Sequence, residues 1–211
     1  MNAIADTPLE KQRRSRRKND RPAELLDAAL ELFTQKGYSA TRAEEIARKA
    51  GVSKGTLFLY FATKEELFEA VVKTTVMSVL HDAQNFALNF TGSPAELLRQ
   101  LIQLWWQRHG STKARTIPRL ILTEAHHFPD CALFYEREVL APCREMVLSI
   151  VQRGISSGDF RALNLDHVWL SFHALLVYPS ICSNCASEDK AHDMDAFVQH
   201  HTDLLIRGLS S

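Results

Sequence analysis

The stretch TRAEEIARKAGVSKGTLFLYFATK, residues 41–64, constrains the fold more than any other part of this 211-residue chain. Thr41 and Glu44 have the spacing of a capping box, which predicts that a helix begins there. Gly51 stands where a helix commonly ends in a left-handed residue, and Ser53 is a suitable N-cap for the next helix. The segment therefore predicts a helix, a tight turn and a second, shorter helix, which is the arrangement of a helix-turn-helix.

The shorter helix has an inward side and an outward side. Leu57 and Phe61 are four residues apart and face inward together, whereas Thr56, Leu59 and Tyr60 are left on the outward side. A generic helical hairpin would share some of these features. Their ordered combination favours a recognition helix that enters the major groove of DNA.

The string from Gly37 to Leu67 resembles the DNA-binding domain of the TetR (tetracycline-repressor) family over about a quarter of the chain, counting the preceding helix. The matching positions are Gly37, Thr41, Ile46, Ala47, Ala50, Gly51, Val52, Ser53, Gly55, Leu57, Phe61, Lys64 and Leu67. The chain departs from the family at Phe58, where a tyrosine hydroxyl often meets a phosphate. Phe58 can stack or pack but cannot donate that hydrogen bond.

The remainder of the chain predicts helices and no alternating strand pattern, so the expected fold is all-α with about nine helices. A first helix from Pro22 to Lys36, with Leu26, Leu30 and Phe33 as its apolar stripe, completes a three-helix head. The later predicted helices cover about 64–89, 93–110, 119–128, 131–156, 165–186 and 192–209. The predicted domains are a basic arm (1–20), a DNA-binding domain (21–66) and a body (67–211).

Charge is unevenly distributed although the whole chain is neutral. Residues 1–64 hold 13 Lys and Arg against 8 Asp and Glu, a net charge of +5, and the remainder balances it at −5. This distribution localises attraction to DNA at the head. The segment KQRRSRRK, residues 11–18, has no apolar residue and is expected to be disordered in the free protein. It is either a solubilising tail or an extension that follows phosphates or enters the minor groove.

The residues expected at the DNA follow from these patterns. Lys54, Gly55 and Leu59 are expected nearest the bases, with Leu59 suited to a thymine methyl. The predicted phosphate contacts are Thr41, Arg42, Ser53, Thr56, Tyr60 and Lys64, and Phe58 belongs to the same surface. A lysine at a helix start opposes the helix dipole, which a nearby phosphate would explain for Lys64.

The resemblance also implies a small-molecule pocket in the body and a homodimer formed by the last two helices. The candidate pocket residues are Trp105, Trp106, His109, Phe128, Phe134, Trp169 and His173, whose character suggests an apolar or aromatic ligand. Residues 167–187 contain no Asp, Glu, Lys or Arg, but too many polar or helix-breaking residues interrupt them for a membrane span, so burial against a partner is the better explanation. Two-fold pairing would double the readout on a palindromic operator.

Other functions have weaker support in the sequence. Cys182 and Cys185 have CxxC spacing, and with His192, His200 and His201 they leave a redox or metal sensor open, but reduced thiols of a cytoplasmic protein are the simpler interpretation. Neither a catalytic motif nor a cofactor motif is present, which predicts a protein that is not an enzyme. The expected function is a ligand-responsive transcriptional regulator, most often a repressor in the resembling family; a DNA-bound scaffolding protein without an inducer is the alternative.

Overall fold

The computed structural model describes the backbone of residues 8–182 and 193–211, and side chains from residue 20 onward. The helices are α1 Pro8–Lys36, α2 Ala43–Lys49, α3 Lys54–Tyr60, α4 Lys64–Val72, α5 Ser78–Asn89, α6 Pro94–Trp105, α7 Ile117–Glu124, α8 Pro129–Tyr135, α9 Ala141–Ser157, α10 Leu165–Cys182 and α11 Met194–Leu209. The chain divides into two units at Val71 and Val72. They are called the head and the body below.

Three short π-helical segments interrupt or extend the α-helices of the body. Lys73–Met77 joins α4 to α5, Trp106–Gly110 extends α6, and Glu136–Leu140 joins α8 to α9. A 3₁₀ turn, Lys113–Thr116, leads into α7. When continuous segments are joined, the described residues form nine helices and no strand, which confirms the predicted fold class.

The first helix is longer than its apolar pattern predicted. It begins at Pro8 rather than Pro22, so residues 8–20 are helical in the structure and not a separate disordered arm. The prediction weighed the missing apolar residues and not the good helix propensity of Arg, Lys and Gln. The buried stripe is also shifted relative to the prediction: Leu26 and Leu30 are only half-buried. The buried residues are Leu25, Ala28, Ala29, Leu32 and Phe33.

Three aromatic rings form the centre of the head. The Tyr38 ring lies 5.3 Å from that of Phe33 and 5.4 Å from that of Phe68, and the remaining pair is 5.9 Å apart. All three side chains are buried. Such pairs contribute about 0.5–1.5 kcal/mol each beyond the area that they bury. They fix the turn after α1, which sets the start of the helix-turn-helix.

The start of α2 differs from the predicted capping box. Arg42 is the N-cap residue, and its backbone N–H donates to the Glu45 carboxylate at 3.2 Å. Thr41 is buried instead, and its hydroxyl donates to the carbonyl oxygen of Gly37 at 2.7 Å. The box is displaced by one residue because the Thr41 hydroxyl closes the turn after α1. Gly51 follows the end of α2 and has a φ of +67°, the left-handed conformation that its position predicted.

Two later helix starts are capped in a related way, α4 in part and α6 by a full capping box. At α4 the Thr63 hydroxyl accepts from the Glu66 N–H at 3.0 Å, but the Glu66 carboxylate accepts from the Ala62 N–H and not from that of Thr63. At α6, Ser93 and Glu96 accept reciprocally from each other's N–H groups, at 3.3 and 2.9 Å. These caps satisfy backbone donors that a helix start leaves unpaired.

The core of the body is built mainly from four helices. Its buried members are Leu97, Leu98, Leu101, Ile102 and Trp106 around α6, Val147, Ile150 and Val151 of α9, Val168, Phe172 and Leu175 of α10, and Val198, Ile206 and Leu209 of α11, together with Ala83 of α5 and Phe160 after α9. Polar pairs link α6 to α11 as well, since the Trp106 indole N–H donates to Asp195 and Arg99 pairs with Asp203. The four helices therefore pack together around a single hydrophobic core.

The remaining helix boundaries follow the predictions closely, with small shifts. Gly158 ends α9 with φ of +83°, at the predicted break. Pro118 lies in the first turn of α7 rather than before the helix. The last helix begins at Met194 with Asp193 as its N-cap, and the predicted end of α10 near residue 186 lies outside the described residues. Within the described part of the chain, no helix is long and apolar enough to cross a bilayer.

Candidate nucleic-acid interface and ligand cavity

The short helix α3 is held by its inner side and its first turn. Leu57 is completely buried and Phe61 nearly so, as predicted. The Ser53 hydroxyl accepts from the Thr56 N–H at 3.1 Å and so caps the helix. Leu59 on the opposite side is 84% exposed, and Phe58 is 40% exposed. An apolar side chain this exposed has no packing role in the head, so it is available for a partner.

Lys54, at the start of α3, is engaged within the head. Its ammonium forms an ion pair with Glu44 of α2 and lies 5.8 Å from the centre of the Phe58 ring. The hydrogen bond from Lys54 lowers the pKa of the Glu44 carboxyl, which is fully exposed. Sequence reasoning missed Glu44 as a member of this surface. The signal for it was geometric, since the turn brings α2 and α3 together across ten residues.

Gly55 is exposed, and the fold does not require a glycine there. A Cβ at this position would meet only the Ser53 hydroxyl oxygen, at 3.8 Å, which is ordinary contact. No steric need inside the head therefore explains the missing side chain. A close approach by another molecule would explain it.

The predicted phosphate contacts divide into accessible and inaccessible groups. Arg42 and Ser53 are exposed, and Thr56 and Tyr60 are half-buried, so their positions permit contact with a phosphate. Thr41 does not, because its side chain is 1% exposed and its hydroxyl is bound to a backbone carbonyl. The expectation of a side-chain phosphate contact from Thr41 is wrong for this structure.

Lys64 has a structural role that the sequence did not indicate. Its ammonium donates to the carbonyl oxygens of Tyr38 at 3.0 Å and Thr41 at 3.2 Å, and it lies 4.3 Å from the centre of the Tyr38 ring. These contacts tie the start of α4 to the turn before α2. They also explain a lysine at a helix start without a phosphate, so a phosphate contact from Lys64 stays a prediction.

The body contains an apolar cavity of about 90 Å³. Its described walls come from six helices, α5 to α10, and all three π segments. The lining residues are Val76, Val79, Leu80, Ala83, Leu98, Leu101, Ile102, Trp105, His109, Pro118, Tyr135, Val139, Leu140, Cys143, Met146, Val147, Phe172, His173, Leu176 and Val177. Each π segment contributes at least one of them: Val76, His109, and the pair Val139 and Leu140. Helices with π segments often carry functional sites.

Three of the seven predicted pocket residues line this cavity: Trp105, His109 and His173. The other four lie elsewhere. Trp106 is buried in the core with its indole N–H on Asp195, and Phe134 is buried with the Lys73 ammonium 5.4 Å from its ring centre. Trp169 stacks on His173 with ring centres 5.2 Å apart, and Phe128 is the half-buried N-cap of α8. Sequence reasoning missed the aliphatic walls because it selected large aromatic residues.

The few polar groups in the cavity walls are uncharged at neutral pH. Burial lowers the pKa of His109 to about 4 and raises the pKa of Cys143 to about 12. Burial likewise raises the pKa of Tyr135 and lowers that of His173. None of the described lining residues is an Asp, Glu, Lys or Arg. The cavity therefore offers hydrogen bonds but no formal charge.

His109 is the most unusual of these groups. It is 2% exposed, and its Nδ1 atom has no hydrogen-bond partner within the described residues. A buried polar atom left in this state costs about 1–3 kcal/mol. An apolar groove of about 250 Å³ adjoins the cavity and shares five lining residues with it: Pro118, Tyr135, Leu140, His173 and Val177. Those side chains form the partition between the two spaces.

An apolar stripe lies on the outer side of α10. Leu170 is 60% exposed, Tyr178 41% and Ile181 42%, and the exposed Ala174 lies between them at helical spacing. Leu204 of α11 is 55% exposed. The Tyr178 ring packs against that of Phe197 on α11, with ring centres 4.9 Å apart, yet each of these side chains keeps a large exposed fraction, as expected of a surface that a partner buries.

The described cysteines give little support to a redox or metal sensor. Cys131 is buried, Cys143 and Cys182 are half-buried, and all three are reduced. Cys185 and His192 lie outside the described residues. In the described part of the chain, His, Cys, Asp and Glu side chains form no group of three that could hold a metal ion. A redox role for the Cys182 and Cys185 pair stays a prediction.

Comparison with known proteins identifies the head. Residues 25–71 match the model of the family described as bacterial regulatory proteins, tetR family. The transcriptional regulator AcrR of Shigella flexneri is 33% identical over 78 residues, which are 37% of this chain and 36% of AcrR. The match thus spans little more than a third of that relative's length. The transcriptional repressor KstR2 of Mycobacterium tuberculosis is 28% identical over 153 residues, 72% of this chain and 75% of KstR2.

The solved structures support the architecture of the whole chain. The regulator FadR from Bacillus subtilis, in complex with stearoyl-CoA, superposes with a TM-score of 0.71 at 20% identity, covering 89% of this chain and 98% of FadR. At this identity the likeness shows the fold alone. It shows that a body of this architecture accompanies a head of this kind in other proteins.

Proposed function

Because the chain belongs to the TetR family of transcriptional regulators, we propose that α3 reads a palindromic operator in duplex DNA. The single observation that carries the proposal is the exposure of Leu59, at 84%, on a helix whose opposite side is completely buried. Such a side chain can reach a thymine methyl in the major groove. Lys54 and Gly55 lie at the start of the same helix, where the backbone can approach DNA closely.

The protein acts as a homodimer in this proposal. One recognition helix of seven residues reads only a few base pairs. Two heads placed about one helical turn of DNA apart would read two half-sites. The exposed stripe of Leu170, Tyr178 and Ile181 on α10, with Leu204 of α11, supplies the apolar surface that such a dimer would bury.

A small molecule releases the dimer from DNA, so the protein is a repressor with an inducer. The cavity in the body supports this part, because a purely scaffolding protein has no use for an enclosed space with an unpaired histidine nitrogen. FadR from Bacillus subtilis, which has the same fold, forms a complex with stearoyl-CoA. The ligand must bind the DNA-incompetent state more tightly than the competent one, by linkage.

The test is binding of the full-length protein to fragmented genomic DNA, including its own promoter region, at physiological salt. We expect enrichment of a palindromic site bound by a dimer. Leu59→Ala should lose preference for that site over random DNA by about tenfold, the scale of one or two lost base contacts. Leu88→Ala is the matched control, because Leu88 is 83% exposed on α5 of the body.

Both variants remove an exposed leucine, so neither should change the free energy of unfolding by more than about 0.5 kcal/mol. Enrichment of dispersed, salt-sensitive sites without a palindrome would contradict the proposal. So would an unchanged site preference in Leu59→Ala.

A further inference from the structure

The residues that line the cavity indicate the chemical class of ligand that it would bind. We infer that the inducer is a neutral, largely apolar molecule with one hydrogen-bonding group, and that this group meets the imidazole of His109. This inference rests on the proposed ligand response and deepens it. Four observations lead to it: the wall composition, the state of His109, the size of the space, and the order of its parts.

The walls select against charge. Fifteen of the twenty lining residues have side chains without a hydrogen-bonding N–H, O–H or S–H group; the exceptions are Trp105, with its uncharged indole N–H, and the four titratable residues His109, Tyr135, Cys143 and His173. All four are neutral at pH 7, for the reasons given above. A carboxylate or phosphate that entered this space would lose its hydration without gaining a cation, which costs several kcal/mol. A neutral molecule avoids that cost.

His109 supplies the polar contact. The residue is 2% exposed, and its Nδ1 atom has no hydrogen-bond partner among the described residues. In the neutral imidazole, each ring nitrogen is either a donor or an acceptor. A hydroxyl group can satisfy both states, since it donates and accepts. Binding of an alcohol or a phenol would therefore remove an existing cost at His109 rather than create one.

The space is small at this end and larger beyond it. A cavity of about 150 Å³ is known to hold benzene, and this one measures about 90 Å³. The groove of about 250 Å³ lies on the other side of the partition formed by Tyr135, His173 and their neighbours, so a ligand longer than the cavity would have to displace these side chains. His109 lines the cavity and not the groove. The ligand's polar end accordingly lies at His109, and its apolar chain extends toward the groove.

The experiment uses two probes of one chain length, octan-1-ol and octanoate, with the full-length protein at pH 7.5. Trp105 lines the cavity, so quenching of tryptophan fluorescence reports binding, and calorimetry provides an independent dissociation constant. We expect the alcohol to bind at least about tenfold more tightly than the carboxylate. His109→Leu should weaken alcohol binding about tenfold, and His109→Gln, which keeps a hydrogen-bonding group, should weaken it less.

The control is His81→Leu, which removes an exposed histidine of α5 that does not line the cavity and should leave both constants unchanged. Equal or tighter binding of octanoate would overturn the inference. So would full alcohol affinity in a folded His109→Leu protein, or the absence of alcohol binding up to its solubility limit. Operator binding without ligand is measured on the same samples, so that a failure of this inference is separate from a failure of the proposed DNA-binding function.

Discussion

The head and the body of this chain encode their functions in different ways. The head carries its chemistry in a run of consecutive residues, where Ser53, Gly55 and Leu57 each have one local task in or beside a helix of seven residues. The body assembles its cavity from six helices and three π segments that are distant in the sequence. A local site can be recognised from spacing alone, whereas a site made by tertiary packing cannot.

The largest effect is expected from a substitution in the body that prevents dimerisation and thereby lowers the operator affinity of the head. Leu170→Glu places a charge in the exposed stripe of α10, and burial of an unpaired charge disfavours association. We expect monomers in analytical ultracentrifugation and a loss of operator affinity of about a hundredfold or more, because the second head no longer binds as part of the same molecule. The head itself should stay folded.

Leu88→Glu is the control for this variant, since it adds the same charge at another exposed leucine, which lies outside the stripe. If the Leu170→Glu protein remained a dimer with full operator affinity, the dimer interface would lie elsewhere, and DNA binding by the head would not require the α10 stripe.

The next effect concerns the body alone and depends on pH. Burial holds the pKa of His109 at about 4, below its ordinary value of 6.5. Between these values the unfolded chain binds a proton that the folded chain resists, so stability is complete above pH 6.5 and is lost as the pH falls toward 4. The loss is about 3 kcal/mol at 1.36 kcal/mol per pKa unit. The half-buried His173, whose pKa is also lowered, acts in the same direction.

Urea unfolding of the wild type and His109→Gln at pH 7 and pH 4.5 measures this contribution. The variant has no imidazole at position 109, so it should lose less stability on acidification, and His81→Gln should lose as much as the wild type. An identical pH dependence in all three proteins would mean that His109 is hydrated or already protonated.

A smaller effect separates folding from recognition in the head. Gly55→Ala adds a methyl group that the head can accommodate and replaces glycine with a better helix former. We expect the free energy of unfolding to stay the same or rise by up to about 1 kcal/mol. Operator affinity should fall about tenfold because the methyl group occupies space that the DNA needs. Unchanged affinity in gel-shift titrations would show that DNA does not approach Gly55.

The smallest effect tests the one departure from the family pattern. Phe58→Tyr restores a hydroxyl on a ring that is 40% exposed beside Lys54. One added hydrogen bond to a phosphate should raise affinity about fivefold for all sequences. Phe86→Tyr makes the same change on α5, where the ring is 37% exposed, and should have no effect. A gain confined to one operator sequence would mean that residue 58 reads bases.

The sequence predicted much of the head because its signals are local. The Ser53 cap, the buried Leu57 and Phe61, and the left-handed Gly51 are all found where spacing placed them. Two contacts there were not anticipated: the Thr41 hydroxyl donates to the Gly37 carbonyl oxygen, and the Lys64 ammonium donates to backbone carbonyls across the turn. Neither contact has a sequence signature, since each joins residues through the folded turn.

In the body the helices were predictable and the cavity was not. The aromatic residues of α6 and α10 were selected for their size, yet Trp106 packs into the core and Trp169 stacks outside the cavity. Trp105 and Trp106 differ in position by one residue, which is about 100° around a helix, and the π segment begins between them. Apolar periodicity gives the buried side of a regular helix, and it loses that ability where the helix is irregular.

The three π segments also determine how the lining of the cavity can change during evolution. A π turn holds one residue more than an α turn, so it can arise by a single-residue insertion and vanish by a single-residue deletion without opening the helix. Because all three segments supply cavity walls and two of them lead directly into a further α-helix, one-codon length changes at 73–77 or 136–140 would rotate the following helix by about 100°. Such changes would exchange one set of lining residues for another in one step, so that a helical body could acquire a new inducer faster than point substitutions permit.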